Sequence, residues 1–256
     1  MNYKIMTFNL LINHIYDFGR SRFTTRSASI LKLIEQEKPD IIGVQELTPF
    51  SQKHLAPLYE TYAMTGRYRR TNKRFFNESN AIFYRKDKFD LLDSKTFWLS
   101  KTPYVPASKF ITSIFPRIAV FAVLQDKKTK EIFTMINLHL DHGRETIRTA
   151  QTKALIDLAR QRMQGSFTVV TGDFNTDPDS KAIQAMQENG FYDLATNALG
   201  TTLRGKVSTL AHHNRPIDHI LISGNIKGRS CVVHKECYDG IYPSDHWPLS
   251  AVLVTK

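Results

Sequence analysis

Six short apolar runs in this chain each carry a polar side chain at one end, and the end changes along the chain. Asn9, Glu46, His139 and Asp173 close the first four, whereas Asp218 opens the fifth and Asp245-His246 open the sixth. Runs rich in β-branched residues read as buried strands. In a mixed sheet their polar ends meet on one rim if the last two strands run against the earlier four. A hairpin pattern, Ile118 to Leu124, Asp126 to Lys130, then Ile132 to Leu138, argues against an all-parallel sheet. Further strands read at Ala81–Tyr84 and Leu91–Trp98. Thr25 to Lys38 reads as a helix with Ala28, Leu31 and Ile34 on one face and Pro39 as its stop. Arg144 to Met163 reads as an amphipathic helix through Ile147, Ala150, Ala154, Leu155 and Leu158. A short helix starts near Pro49, and another covers Asp179 to Gln187. A four-layer α/β sandwich, two mixed β-sheets packed face to face with helices on both outer faces, would explain this order.

The run Phe167 to Asn175 is the most informative. Gly172 allows a tight turn, and Asp173 and Asn175 alternate, which in an extended segment puts both on one face. Asp177 and Pro178 read as the N-cap and first residue of the next helix. A carboxylate and an amide beside a helix start suit phosphate or metal chemistry. Taken alone, the same residues make an ordinary strand-to-helix turn.

With 256 residues, 41% hydrophobic and 23% charged, the chain suits one large domain, residues 1–256. No internal repeat or Gly/Ser linker divides it. No apolar run reaches the ~18 residues of a membrane span. The first residues lack the long apolar stretch of a signal peptide and read as a core strand, so a cytoplasmic monomer is expected. Cys231 and Cys237 lie in a strand-like segment, where six residues separate them by roughly 20 Å. That exceeds the ~7 Å limit for a disulfide, so two buried free thiols are expected. The net charge of +11 favours an anionic substrate or partner. Its densest basic segment, Gly66 to Phe76, carries Arg67, Arg69, Arg70, Lys73 and Arg74 among aromatics. It reads either as a solvated loop or as an electrostatic lip over an anion.

Two motif readings compete. Asn137-x-His139-x-Asp141-His142 is similar to the zinc motif of metallo-β-lactamase-fold hydrolases, but Asn137 stands where the first histidine ligand belongs. The broader match is to the endonuclease/exonuclease/phosphatase family. Met6-Thr-Phe-Asn9, Pro39 to Glu46, Asn137-Leu-His139, Gly172 to Asn175, Ile217-Asp218-His-Ile and Ser244 to Leu249 resemble its signatures, in its order. Asn77 to Arg85, Phe97 to Pro103 and Phe115-Pro-Arg117 resemble a bacterial branch whose substrate is unsettled. The resemblance implies a four-layer sandwich and a divalent-metal-dependent phosphoesterase.

Glu46 and Asn9 offer hard oxygen ligands that suit Mg²⁺ or Mn²⁺ rather than Zn²⁺, and Asp245 adds a third candidate. Asp173 is the candidate base for the attacking water, with Asn175 holding it or a phosphate oxygen. His139 and His246 are candidate donors to the phosphoryl oxygens. By resemblance, Asp218 pairs with His246 and Glu78 with His139, which would fix each imidazole. Arg117, Arg69 and Arg70 are candidate phosphate contacts. His142, His219, His212 and His213 read as structural, and Asp141 is left out. The reading that follows is a hydrolase of a soluble or lipid-linked phosphoester. The alternatives are a Mg-dependent nuclease on DNA or RNA, and a catalytically weak nucleic-acid-binding protein.

Overall fold

The computed structural model describes residues 1–13, 17–71, 77–204 and 214–256. Lys73 and Arg74 of the basic segment, and His212-His213, lie outside the described residues. The apolar runs form strands β1 (Asn2–Asn9), β2 (Ile41–Gln45), β3 (Tyr62–Thr65) and β4 (Ile82–Arg85), then β5 (Phe89–Trp98), β6 (Ile118–Asp126), β7 (Ile132–His139) and β8 (Phe167–Asp173). The two-residue β9 (Tyr192–Asp193), β10 (Asp218–Gly224), β11 (Ile226–Val233) and β12 (Leu249–Thr255) follow. The helices are α1 (Phe23–Glu37), α2 (Pro49–His54), α3 (Glu145–Arg162) and α4 (Lys181–Glu188).

The strands make two six-stranded sheets, in the orders β11-β12-β1-β2-β4-β3 and β5-β6-β7-β8-β10-β9. Each sheet has a single parallel pair at its centre, β1 with β2 and β7 with β8, and the other pairings are antiparallel. Buried side chains separate into three layers. Tyr3, Ile5, Phe133 and Phe167 belong to the layer between the sheets. Leu155, Leu158 and Ile183 join α3 and α4 to the second sheet. Ile30, Leu33 and Ile34 join α1 to the first. This is the four-layer α/β sandwich.

Near the site the sheets approach unusually closely. A Cβ on Gly43 would lie 2.1 Å from Thr171 Oγ1 and 2.6 Å from Asn137 Oδ1, so only glycine fits there. Asn137 Nδ2 crosses between the sheets to donate to the carbonyls of Val44 (2.8 Å) and Ala81 (3.0 Å). Gln45 Nε2 donates back to Asn137 Oδ1 at 2.7 Å. Asn137 is therefore a structural crosslink, and the zinc-motif reading fails at that position.

Three local expectations are corrected. The buried face of α1 runs through Phe23, Ile30, Leu33 and Ile34, and Ala28 is exposed. The larger side chains set which face turns inward. Ser180, not Asp177, caps α4, accepting from Ile183 N at 3.3 Å. Asp177 instead accepts from Asp179 N, which delays the helix by a turn. Both cysteines are free, as expected, but only Cys231 is partly covered and Cys237 is exposed, because β11 ends at Val233.

Candidate active site

The parallel pairs bring their C-terminal ends to one edge of the sandwich. Asn9 sits opposite Gln45 in one sheet and His139 opposite Asp173 in the other. β10 runs against β8, so Asp218 starts opposite Asp173. β12 runs against β1, so the loop before it delivers His246 to the same edge. The backbone turns sharply just beyond these ends: Leu11, Glu46 and Asn175 all have positive φ, between 51° and 60°. Buried Arg26 of α1 ties the turn at Leu11 to the loop before β12. Its guanidinium donates to Leu10 O (2.7 Å), Leu11 O (2.9 Å) and Pro243 O (2.8 Å).

A cavity of ≈ 470 Å³ opens at this edge, with Glu46, Asp173, His139 and His246 among its lining and Arg69, Arg70, Arg117 and Glu78 around them. Asn9 knits the acidic side together. Its Nδ2 donates to Glu46 Oε1 (3.2 Å) and Asp173 Oδ2 (3.0 Å) and lies 3.5 Å from His246 Nε2. Its Oδ1 accepts from Leu11 N at 3.0 Å. Glu46 Oε2 accepts from Ile12 N at 2.6 Å. Asp218 Oδ2 accepts from His246 Nδ1 at 2.8 Å, and the other ring nitrogen lies 3.8 Å from Asp173 Oδ2. His139 Nε2 approaches the same Asp173 oxygen at 3.4 Å, and its buried Nδ1 has no partner among the described residues.

The charges follow from this geometry. Burial alone would lower His246, but Asp218 and then Asp173 overcome it and hold the imidazole well above its usual pKa. Burial raises Asp173 to about 6, against the pull of His246. Burial and the guanidiniums of Arg117 and Arg69 keep His139 well below its usual value and therefore neutral. Burial, then the charge of Glu46, raise Glu78.

Asn9, Glu46, His139, Asp173, Asn175, Asp218, His246, Arg69, Arg70, Arg117 and Glu78 all gather at this edge, but not all as expected. Glu78 does not pair with His139. Its carboxylate is taken by Arg69 in a two-pronged ion pair, Nη2–Oε1 2.6 Å and Nη1–Oε2 2.8 Å. A buried guanidinium needs a carboxylate more than a neutral imidazole does. Arg69 is consequently buried and neutralised, not an exposed element of a basic lip. Asn175 holds Asp173 through its backbone N–H (2.9 Å), while its side chain donates to Leu140 O, because the chain leaves the extended conformation there. Asp245 is not part of the cavity lining, and its Oδ1 accepts from Ser244 Oγ at 3.3 Å. His142, read as structural, lines the cavity, as does Phe115. The proximity of His142 to His139 in sequence was the available signal. Nothing in the sequence singles out Arg26.

The residues fit a hard dication. Glu46 Oε1 and Asp173 Oδ2 both accept from the one amide nitrogen of Asn9, which gathers hard carboxylate oxygens from both sheets at one point, and the charge of Glu46 adds to burial in raising Glu78. Ligand atoms of Asp173, Asp218 and His246 also lie within 4.8 Å of one another, a second grouping able to hold a metal ion. There the short His246–Asp218 hydrogen bond already occupies Nδ1.

The family model for the Endonuclease/Exonuclease/phosphatase family matches residues 6–246. An Endonuclease/exonuclease/phosphatase family protein of Bacteroides thetaiotaomicron has a similar structure, with a TM-score of 0.89, 27% identity, and coverage of 100% of this chain and 98% of its own. One from Bacteroides vulgatus gives 0.87 and 26%, covering both chains fully. The mannosyl-6-phosphatase of B. thetaiotaomicron gives 0.83 and 27%, covering 98% of this chain and 99% of its own.

Proposed function

The chain belongs to the Endonuclease/Exonuclease/phosphatase family, and from that premise we propose that it is a divalent-metal-dependent hydrolase of a small or lipid-linked phosphoester. One observation carries the reading. Arg117 is 4% exposed and lines the cavity, yet among the described residues no carboxylate lies within ion-pair distance of it. A buried cation with no direct ion pair, only the more distant carboxylates of Glu78 and Asp141, favours an anion from outside. The likeness to a mannosyl-6-phosphatase supports a small phosphoester over a polymer.

Each side chain then has a task. Asp173, ionised above about pH 6, orients the attacking water and accepts its proton. His246, kept protonated and fixed in place by Asp218, donates to an oxygen of the phosphoryl group. Arg117 binds the phosphoryl oxygens, and His139 adds a neutral donor or acceptor beside Asp173. Glu46 and Asn9 would hold Mg²⁺ or Mn²⁺, which when bound neutralises charge on the phosphate. Glu78 keeps Arg69 in the wall. The same reading takes the protein as a cytoplasmic monomer working as one domain.

The test is hydrolysis of p-nitrophenyl phosphate, bis(p-nitrophenyl) phosphate, sugar and inositol phosphates, nucleotides, plasmid and abasic DNA, each with Mg²⁺, Mn²⁺ or EDTA. Metal-dependent release of phosphate from small esters is expected. Cleavage confined to DNA would make the protein a nuclease, and no turnover of any substrate would make it a binding protein.

A further inference from the structure

His142 is a cavity-lining imidazole whose proton can be placed by elimination. A guanidinium has only donors. Arg117 Nη2 lies 3.1 Å from His142 Nδ1, so that nitrogen must present its lone pair. The ring is then neutral, with its single proton on Nε2. Partial covering of the exposed ring, and next the charge of Arg117, push its pKa down in agreement. Nε2 has no partner among the described residues, and the ring lines the cavity beside Arg117. Phe115 packs against the ring at 6.1 Å and is itself covered by the Arg69 guanidinium at 4.7 Å. His142 is thus an exposed side chain at the cavity rim, held by Arg117 at Nδ1 and by Phe115 against the ring.

A phosphodiester has two non-bridging oxygens and one negative charge. A terminal phosphate has three such oxygens and up to two charges. Arg117 and the protonated His246 suffice for two oxygens, and a third donor has a use only when there is a third oxygen. We infer that His142 touches the substrate, its Nε2–H donating to a non-bridging oxygen that only a phosphomonoester has. The inference rests on the phosphoesterase reading and narrows its substrate to terminal phosphates.

Two substitutions separate substrate contact from support of Arg117. His142→Asn places an amide oxygen near the position of Nδ1, keeping an acceptor for Arg117, but has nothing at Nε2. His142→Gln reaches the position of Nε2 with an amide N–H but leaves no acceptor at Nδ1. Binding of inorganic phosphate is measured by calorimetry in EDTA, and kcat/KM on p-nitrophenyl phosphate and bis(p-nitrophenyl) phosphate in Mg²⁺. We expect His142→Asn to weaken phosphate binding and monoester turnover by roughly ten- to a hundredfold, the range for a hydrogen bond to a charged group. Diester turnover should change by less than about threefold, and His142→Gln should lose less on the monoester than His142→Asn. The opposite order would make His142 only a support for Arg117 and overturn the inference, as would equal losses on both esters or two variants like wild type. A wild-type protein that neither binds phosphate nor cleaves either ester would overturn the inference and the phosphoesterase reading together.

Discussion

Glu46 shows what a single residue contributes here. Its backbone is left-handed (φ 60°), one carboxylate oxygen is tied to Ile12 N–H, and the other accepts from Asn9. Glu46→Gln keeps the shape and an acceptor while removing the charge. It should weaken Mg²⁺ binding and hydrolysis at least about tenfold and leave the fold intact. A Mg²⁺ titration giving the wild-type affinity would remove Glu46 from the metal site. At this scale the sequence was legible wherever a residue sits at a strand end. Asn9, Glu46, His139, Asp173, Asp218 and His246 met because strand direction delivers them. Partner choice was less legible. Glu78 went to Arg69, nine positions away, because the cost of burying a guanidinium decides the pairing, and that burial is invisible in the sequence.

One element-scale device supports the site from behind. His219, in β10, is fully buried. Its Nδ1 lies 2.7 Å from Asp193 Oδ2 of β9 and its Nε2 2.8 Å from Thr176 O. Both partners are acceptors, so both nitrogens must carry protons and the ring is an imidazolium. Burial opposes this, but Asp193 dominates and raises the pKa. The pair thereby clamps the turn that follows Asp173. Because the folded value is raised, its contribution to stability is complete below the unfolded value of ~6.5 and disappears as pH rises through the folded value. Asp193→Asn should cost about 3–5 kcal/mol at pH 6 and less at higher pH. Urea midpoints of wild type and variant across pH 5.5 to 9 would test this, and a pH-independent difference would refute it. Elements were legible in their existence and order, since the apolar periods are strong, including the hairpin β6–β7. Their edges and faces were not. Ser180 rather than Asp177 caps α4, and α1 turns Ala28 outward, since such choices depend on what each element packs against.

For the whole molecule, the formal charge of +11 gives a broad attraction for anions, but among the described residues the cavity lining holds few uncompensated cations. Arg69 is neutralised by Glu78, leaving Arg117 and Arg70 in the lining. Binding to DNA should therefore be weak, with a shallow dependence on salt, and Arg70→Ala should change the slope by no more than about one counterion. Fluorescence anisotropy with a labelled oligonucleotide over a salt series would decide. Tight binding whose steep slope falls in that variant would favour the nuclease. The sandwich itself was legible because the polar-ended runs resemble the family's signatures in its order, and the strand directions, the hairpin and the helices agree with its layers. The closeness of the sheets at Gly43 was not, since it depends on the Asn137 crosslink to the opposite sheet. The two sheets share one pattern, each with its parallel pair pointing at the cavity, Glu46 beyond the end of one and Asp173 at the end of the other. A phosphate or metal ion in contact with both acts as a rivet across the sandwich. Its binding free energy adds directly to the work of separating the sheets, by RT ln(1 + [L]/Kd) for free ligand L. Occupancy and resistance to heat are then two measures of one equilibrium, and a chain without its ligand is also a looser one.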